Sequence, residues 1–234
     1  MTVKATLKRI FLTRHAQAEH NVMSDWSIPD APLTTLGRQQ AATLHEQTKD
    51  TIQKTAELLV TSAMRRPLST AVLGFPDLRK RLEAEGKQIL VLPQLQECAD
   101  WPCDTGSPRA VLEDDPEYAG LDFSLLTPDW TSKQGFYAPT DDALKHRARW
   151  NRRWLRERPE HQIVVVAHGD CLRYMTQGDN THEPWANTEV REYTFQVDEH
   201  EDKHGDAWLV PIELVTRAGK TEPTTSELLE MKDR

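Results

Sequence analysis

A three-layer α/β/α sandwich around a mostly parallel central sheet is the fold class this 234-residue sequence predicts. Three observations predict it. Short apolar, β-branched runs alternate with longer stretches of helical periodicity, the pattern of strand–helix–strand units. The strongest run, Ile163-Val164-Val165-Val166, is continuous rather than alternating, as a strand covered on both faces requires. The length suits one large domain, read here as 1–216 with an insertion at 93–139, followed by a polar tail at 217–234.

The first strand is read at 9–13, an apolar run with an aromatic and β-branched residues, bounded by charge. After the turn "SIPDAP", the spacing of Leu36, Ala41, Leu44 and Thr48 predicts a helix over 33–55, capped by Thr34 or Thr35. A second strand follows at 58–61. Pro67 fits a helix's first turn, so a helix starts near 65–68 and runs through Leu73. Gly74-Phe75-Pro76 interrupts it before a further helical stretch, "DLRKRLEAEG". Residues 89–92 make a third strand. The insertion, rich in Pro, Gly and Asp, carries one short helix near 109–112 and has the length of a lid or substrate wall. Its Trp101, Phe123, Trp130, Phe136 and Tyr137 are either such a wall or a satellite core. A helix at 141–158 puts Leu144, Ala148 and Leu155 on one side, with Trp150 and Trp154 as core packing. Strands at 163–166, 193–197 and 208–215 complete the chain.

Composition excludes several functions. The net charge of −8 argues against non-specific binding to nucleic acid or anionic membranes. No apolar run approaches the roughly 20 residues of a membrane span. Ile10-Phe11-Leu12 is too short for the hydrophobic core of a secretory signal. Cys98, Cys103 and Cys171 are odd in number and lack zinc-ligand spacing, so unpaired thiols in a reducing cytoplasm are expected. Nothing indicates a metal site or a cofactor, and the sequence leaves the oligomeric state open.

In such sheets, sites form beyond the carboxyl ends of the strands. "IFLTRHA" delivers Arg14 and His15 there, and "IVVVAHG" delivers His168. "LLVTSAMRR" runs into Arg65 and Arg66, and "ILVLPQLQE" is followed by Glu97. Two imidazoles and several guanidiniums around one point repel each other unless an anion sits among them, and a phosphoryl group matches the forked donors of arginine. Glu97 is then the acid able to protonate a leaving oxygen and later deprotonate a water.

These stretches resemble the histidine phosphatase (phosphoglycerate mutase-like) superfamily, in its fungal and plant-type branch. "LTRHAQAEHN" resembles the Arg-His-Gly signature, with Ala16 where Gly is usual; "DAPLTTLGRQQA", "VTSAMRRPLSTA", "LQE" and "VVVAHGD" follow in the family's order, and "WANTEVREYTF" looks like fungal members. The resemblance implies that His15 is the nucleophile and becomes phosphorylated. It also implies that Arg14, Asn21, Arg66 and His168 hold the phosphoryl oxygens, and that Glu97 is the acid. It implies a phosphoglycerate mutase-like fold, chemistry without a metal, and a small phosphomonoester as partner. Histidine attacks only through an unprotonated ring nitrogen, so its other nitrogen is expected to face a backbone carbonyl.

Other readings stay open at this stage. Asn21 could simply cap a turn. Asp100 and Asp170 are rival acids; Asp170 ranks low because Gly169 separates it from His168. Arg65 is expected in solvent and Arg66 inside. His20 alone among the remaining histidines named, His146, His161, His182, His200 and His204, lies near enough to the motif to touch substrate. If the backbone at Ala16 needs a positive φ, its methyl group strains it. Ala63 and Met64, in place of the commoner Pro-Leu, are packing changes. A mutase using the same intermediate is the nearest alternative function. A phospho-ligand binding protein, or an enzyme using the pocket for acid–base chemistry such as dehydration, is a different class.

Overall fold

Side chains alternate along each strand, and this decides which layer every apolar residue feeds. In the computed structural model, which describes residues 4–5, 8–181, 183–197 and 205–212, β2 (Arg9–Arg14), β3 (Leu58–Ser62), β4 (Leu90–Leu92) and β5 (Gln162–Ala167) pair in parallel in the order β2-β5-β3-β4. Phe11, Leu59, Val91, Val164 and Val166 point to one face, where α2 (Thr35–Thr48), α4 (Arg65–Gly74) and α5 (Pro76–Ala84) contribute Leu44, Leu68 and Leu78. Ile10, Leu12, Val60, Ile163 and Val165 point to the other, packing on Leu144 and Leu155 of α7 (Asp141–Glu157) and Leu172 and Met175 of α8 (Gly169–Gln177). Each such buried side chain contributes about 1.5–3 kcal/mol. The fold is the expected mixed α/β arrangement, with β5 in the middle.

On the far side of β2 the sheet turns antiparallel. There β6 (Val190–Val197) pairs with β2, and it in turn pairs with β1 (Lys4–Ala5) and β7 (Leu209–Pro211). The strand expected at 193–197 thus begins three residues earlier. The one expected at 208–215 is seen at 209–211, with Trp208 and Ile212 outside the strand, while 213–215 and the tail at 217–234 lie outside the described residues.

The helix expected over 33–55 is two. Thr34 caps α2, its hydroxyl accepting from the Gly37 N–H at 2.9 Å. The helix ends at Thr48, and a separate turn, α3 (Ile52–Thr55), follows. The bend serves Gln53, which is buried: its amide donates to Gly74 O at 3.1 Å, and its carbonyl accepts from the backbone of Asp77 and Leu78 in the first turn of α5. Leu36, placed by periodicity on the inner face, is 46% exposed. Gly37 has a geometric reason: a methyl group there would stand 2.0 Å from Gln17 O, so α2 could not seat against the loop that follows β2.

The stretch 93–139 holds α6 (Arg109–Glu113) and single 3₁₀ turns at Pro93–Leu95, Pro102–Asp104, Pro116–Tyr118 and Gly135–Tyr137. Phe123, Trp130 and Tyr137 enter the core on the α4 side, whereas Trp101 and Phe136 stay exposed. Trp150 and Trp154 stack at 6.3 Å, half-buried against α7's own core. All three cysteines are free and buried. No helix among the described residues is long and apolar enough to cross a membrane.

Candidate active site

Parallel register brings the strand ends level. Arg14 pairs with Ala167, so the next residue on each strand, His15 and His168, emerges beside the other. Their ring centroids are 5.2 Å apart with planes at 64°, and both are buried. On the neighbouring strand, Ser62 lies at the same rim; its hydroxyl is 2.9 Å from His168 Nε2.

The corner at His15 is held from three sides. Its ring Nδ1 lies 2.7 Å from Ala16 O, which fixes the proton on Nδ1 and leaves Nε2 with a lone pair. The Ala16 N–H donates to Thr70 Oγ1 of α4 at 3.0 Å. Ala16 is not among the residues with positive φ, so its methyl group brings no backbone strain. From the C-terminal motif, Asn187 Nδ2 donates to His15 O at 3.0 Å, the Thr188 N–H donates to Arg14 O, and Trp185 O accepts from the Arg14 guanidinium. Thr188 adopts a left-handed φ of 58° to make this turn. The sequence placed "WANTEVREYTF" only by resemblance; its contact with the His15 corner is a product of β6 pairing with β2.

Arg66, the inward arginine, has its Nε 3.2 Å from His15 Nε2. Its other nitrogens donate to Cys103 O and to Asp104 Oδ1, the latter at 2.9 Å in an ion pair almost wholly shielded from water. Arg65 is half-buried against Asp115 rather than free in solvent. Asn21 does cap a turn, accepting from the Ala18 N–H at 3.0 Å. Its amide nitrogen is 3.1 Å from His20 Nε2, and the His20 ring sits 6.2 Å from that of His15. Glu97 Oε1 accepts from the backbone N–H groups of Cys98 and Cys171, at 2.9 and 3.1 Å, which anchors it to the first turn of α8 just beyond His168. Asp100 is exposed, and Asp170 is engaged by Arg173 and by Asn180 Nδ2.

The profile of the histidine phosphatase superfamily (branch 1) matches residues 10–199. The chain belongs to the histidine phosphatase superfamily. A probable phosphatase of Schizosaccharomyces pombe is 29% identical over 206 residues, covering 86% of this chain and 92% of that protein. A phosphoglycerate mutase-like protein of Arabidopsis thaliana is 28% identical over 203 residues, 70% of this chain and 72% of the relative. Among solved structures, an α-ribazole-5′-phosphate phosphatase from Escherichia coli superposes with a TM-score of 0.56 at 19% identity, over 92% of this chain and 99% of that one. At that identity the likeness speaks for the fold.

Electrostatics in this histidine phosphatase family member separate two kinds of group. Burial first, then Arg66, holds the pKa of both His15 and His168 well below the ordinary imidazole value, so both rings are neutral. Burial likewise takes His20 down to about 2. Glu97 moves the other way: burial, then the charges of Asp170 and Asp104, raise it to about 7. Asp104 itself is raised by burial, with Arg66 opposing.

Sequence reasoning missed Ser62, Asp104, Asn187 and Lys133 as members of the site. Lys133 reaches in from the insertion at a left-handed φ of 53° and donates from Nζ to Glu97 O at 3.2 Å. Burial, then Arg147, lowers its pKa to about 8. Ser62, at the end of β3, and Asn187 lie inside the quoted stretches "VTSAMRRPLSTA" and "WANTEVREYTF", whereas no local signal marks Asp104 or Lys133, which are neighbours only through the insertion. Among the described residues no group of His, Cys, Asp and Glu could hold a metal ion.

Proposed function

We propose that this protein is a phosphomonoester hydrolase that works through a phosphohistidine on His15 Nε2, without a metal. The observation that carries this reading is the Nδ1 contact to Ala16 O, which keeps the proton off Nε2; that lone pair accepts from Arg66 Nε and is released to phosphorus when the guanidinium turns to the phosphoryl oxygens. In the first step Nε2 attacks phosphorus, the ester P–O bond breaks, and Glu97 gives its proton to the leaving oxygen. In the second, a water attacks phosphorus, gives a proton to Glu97, and the N–P bond breaks. Arg14, Arg66, Asn21 and His168 surround the three equatorial oxygens and balance charge spread across them. Ser62 holds His168 for that contact.

The test is a burst experiment with a radiolabelled phosphomonoester in the presence of a chelator. An acid-labile label that maps to His15 and forms and decays at the rate of turnover is expected. A label on no residue, or turnover lost with the chelator, overturns the mechanism. A mutase would instead need a bisphosphate primer and would release little phosphate.

Glu97 gives a second test, because replacing it should act in opposite directions on rate and stability. The acid must be protonated for the first step, so kcat/KM is expected to fall as pH rises through about 7. Glu97→Gln should cost roughly 10²–10⁴ in kcat for esters with poor leaving groups and remove that limb of the pH profile. The unfolded chain gives up this proton near 4.5 and the folded chain only near 7. Native stability from this group therefore falls as pH rises across that window. The amide cannot ionise, so Glu97→Gln should be more stable than the native protein by about 1–3 kcal/mol at pH 8 and equal to it at pH 4. Denaturant melts at the two pH values measure it.

A further inference from the structure

Outside the phosphate pocket lies a row of rings that the proposed chemistry does not use. From His15 the centroid steps run 6.2 Å to His20, 5.9 Å to Trp26 and 4.9 Å to Trp101. His20 is buried, Trp26 is partly covered and Trp101 is 46% exposed, so the row leads from the nucleophile to the surface. The short helix that carries His20, α1 (Glu19–Met23), also leaves Val22 and Met23 exposed.

The row is built on a fixed frame. The Cys103 N–H donates to Trp26 O and the Asp30 N–H to Pro102 O, both at 3.1 Å, stitching the loop after α1 to the insertion. Asp30, buried, accepts from the Arg65 N–H through one oxygen and from Ser107 through the other. The same 3₁₀ turn, Pro102–Asp104, offers Cys103 O and Asp104 to Arg66, and Trp101 stands immediately before it. One rigid segment thus carries the guanidinium's supports at one end and an exposed indole at the other.

We propose that Trp26 and Trp101 form a platform for the alcohol portion of the substrate, which makes the preferred class a phosphomonoester whose alcohol carries a planar aromatic ring a short linker away from phosphorus. This rests on the phosphatase reading above and assigns the part of the substrate that reading leaves blank. The two indoles lean on each other at 36°, and the outer one keeps nearly half its surface in water, at the outer end of the ring row that starts from His15. A ring laid on it exchanges that exposed apolar surface for contact, worth about tenfold in affinity by analogy with base stacking on aromatic side chains.

The test compares phenethyl phosphate with butyl phosphate, two alkyl esters of similar leaving-group basicity, by turnover in the native protein and by calorimetric affinity in His15→Ala. Trp101→Ala in the His15→Ala background should weaken phenethyl phosphate about tenfold and butyl phosphate less than twofold, with Trp101→Phe restoring most of the loss. In the otherwise native enzyme the same change should appear in KM with kcat held. Equal weakening of both esters, or none, overturns the platform even where native turnover is normal. Ring-dependent affinity with no turnover of either ester overturns the phosphatase reading and leaves the platform standing. A protein that binds neither ester overturns both.

Discussion

Replacing His15 with alanine is expected to lower turnover of any phosphomonoester by at least about 10³-fold and to abolish the acid-labile label. The reason is the absence of a substitute. His168 is also neutral and buried, but its Nε2 faces Ser62 Oγ at 2.9 Å rather than an approaching phosphorus. His20 lies one ring step further out, with its Nε2 against Asn21. Stability should change little, within about 3 °C in Tm. The lost imidazole is uncharged, and its removal leaves Arg14 and Arg66 with one polar neighbour fewer and the same main-chain and carboxylate partners. Far-UV circular dichroism with a thermal melt separates the two effects. Turnover within tenfold of the native rate would falsify His15 as nucleophile.

Arg66→Ala is expected to damage both activity and fold. Arg66 and Asp104 form a nearly water-free pair, with side chains 1% and 8% exposed. Removing the guanidinium leaves a buried carboxylate without its partner, a cost of about 3–5 kcal/mol. On the proposed mechanism it also removes a donor to the phosphoryl oxygens, about 10²–10³ in kcat/KM. The carboxylate's distress is relieved when it too is replaced, so Asp104→Asn combined with Arg66→Met should be less destabilised than the sum of the two single variants. A double-mutant cycle from denaturant melts reads the coupling, which should be at least about 1 kcal/mol. Additive losses would mean that the pair is incidental to the fold. Native kcat/KM in a folded Arg66→Ala protein would remove Arg66 from the site.

Periodicity was enough where a segment's environment is uniform along its length. The run 163–166 reads as a central strand because both of its faces are covered, and it lies between β2 and β3. The break at Gly74-Phe75-Pro76 is legible because proline and glycine act locally. Reading failed where a long-range partner chooses the local conformation. The helix over 33–55 breaks because Gln53 turns inward to serve Gly74 and the first turn of α5, an obligation that helical spacing cannot express. Spacing alone does not predict α8 (Gly169–Gln177), whose start is set by the end of the strand it follows. Arg65, expected in solvent, is instead held by Asp115 of the insertion.

The site divides the same way. By itself the sequence determined which residues stand at strand ends and that two of them are histidines and others arginines, which makes an oxyanion the guest to propose. A strand of known direction fixes where its last residue emerges, so this much needs only local reading. Tertiary structure alone decided the support and tuning of those groups: Asp104 under Arg66, Ser62 on His168, Asn187 and Thr188 around the His15 corner, and Glu97 held at the start of α8 with its proton kept to near neutrality. Burial and neighbouring charge set a group's protonation and orientation, and both depend on which distant segments the sheet and the insertion bring alongside it.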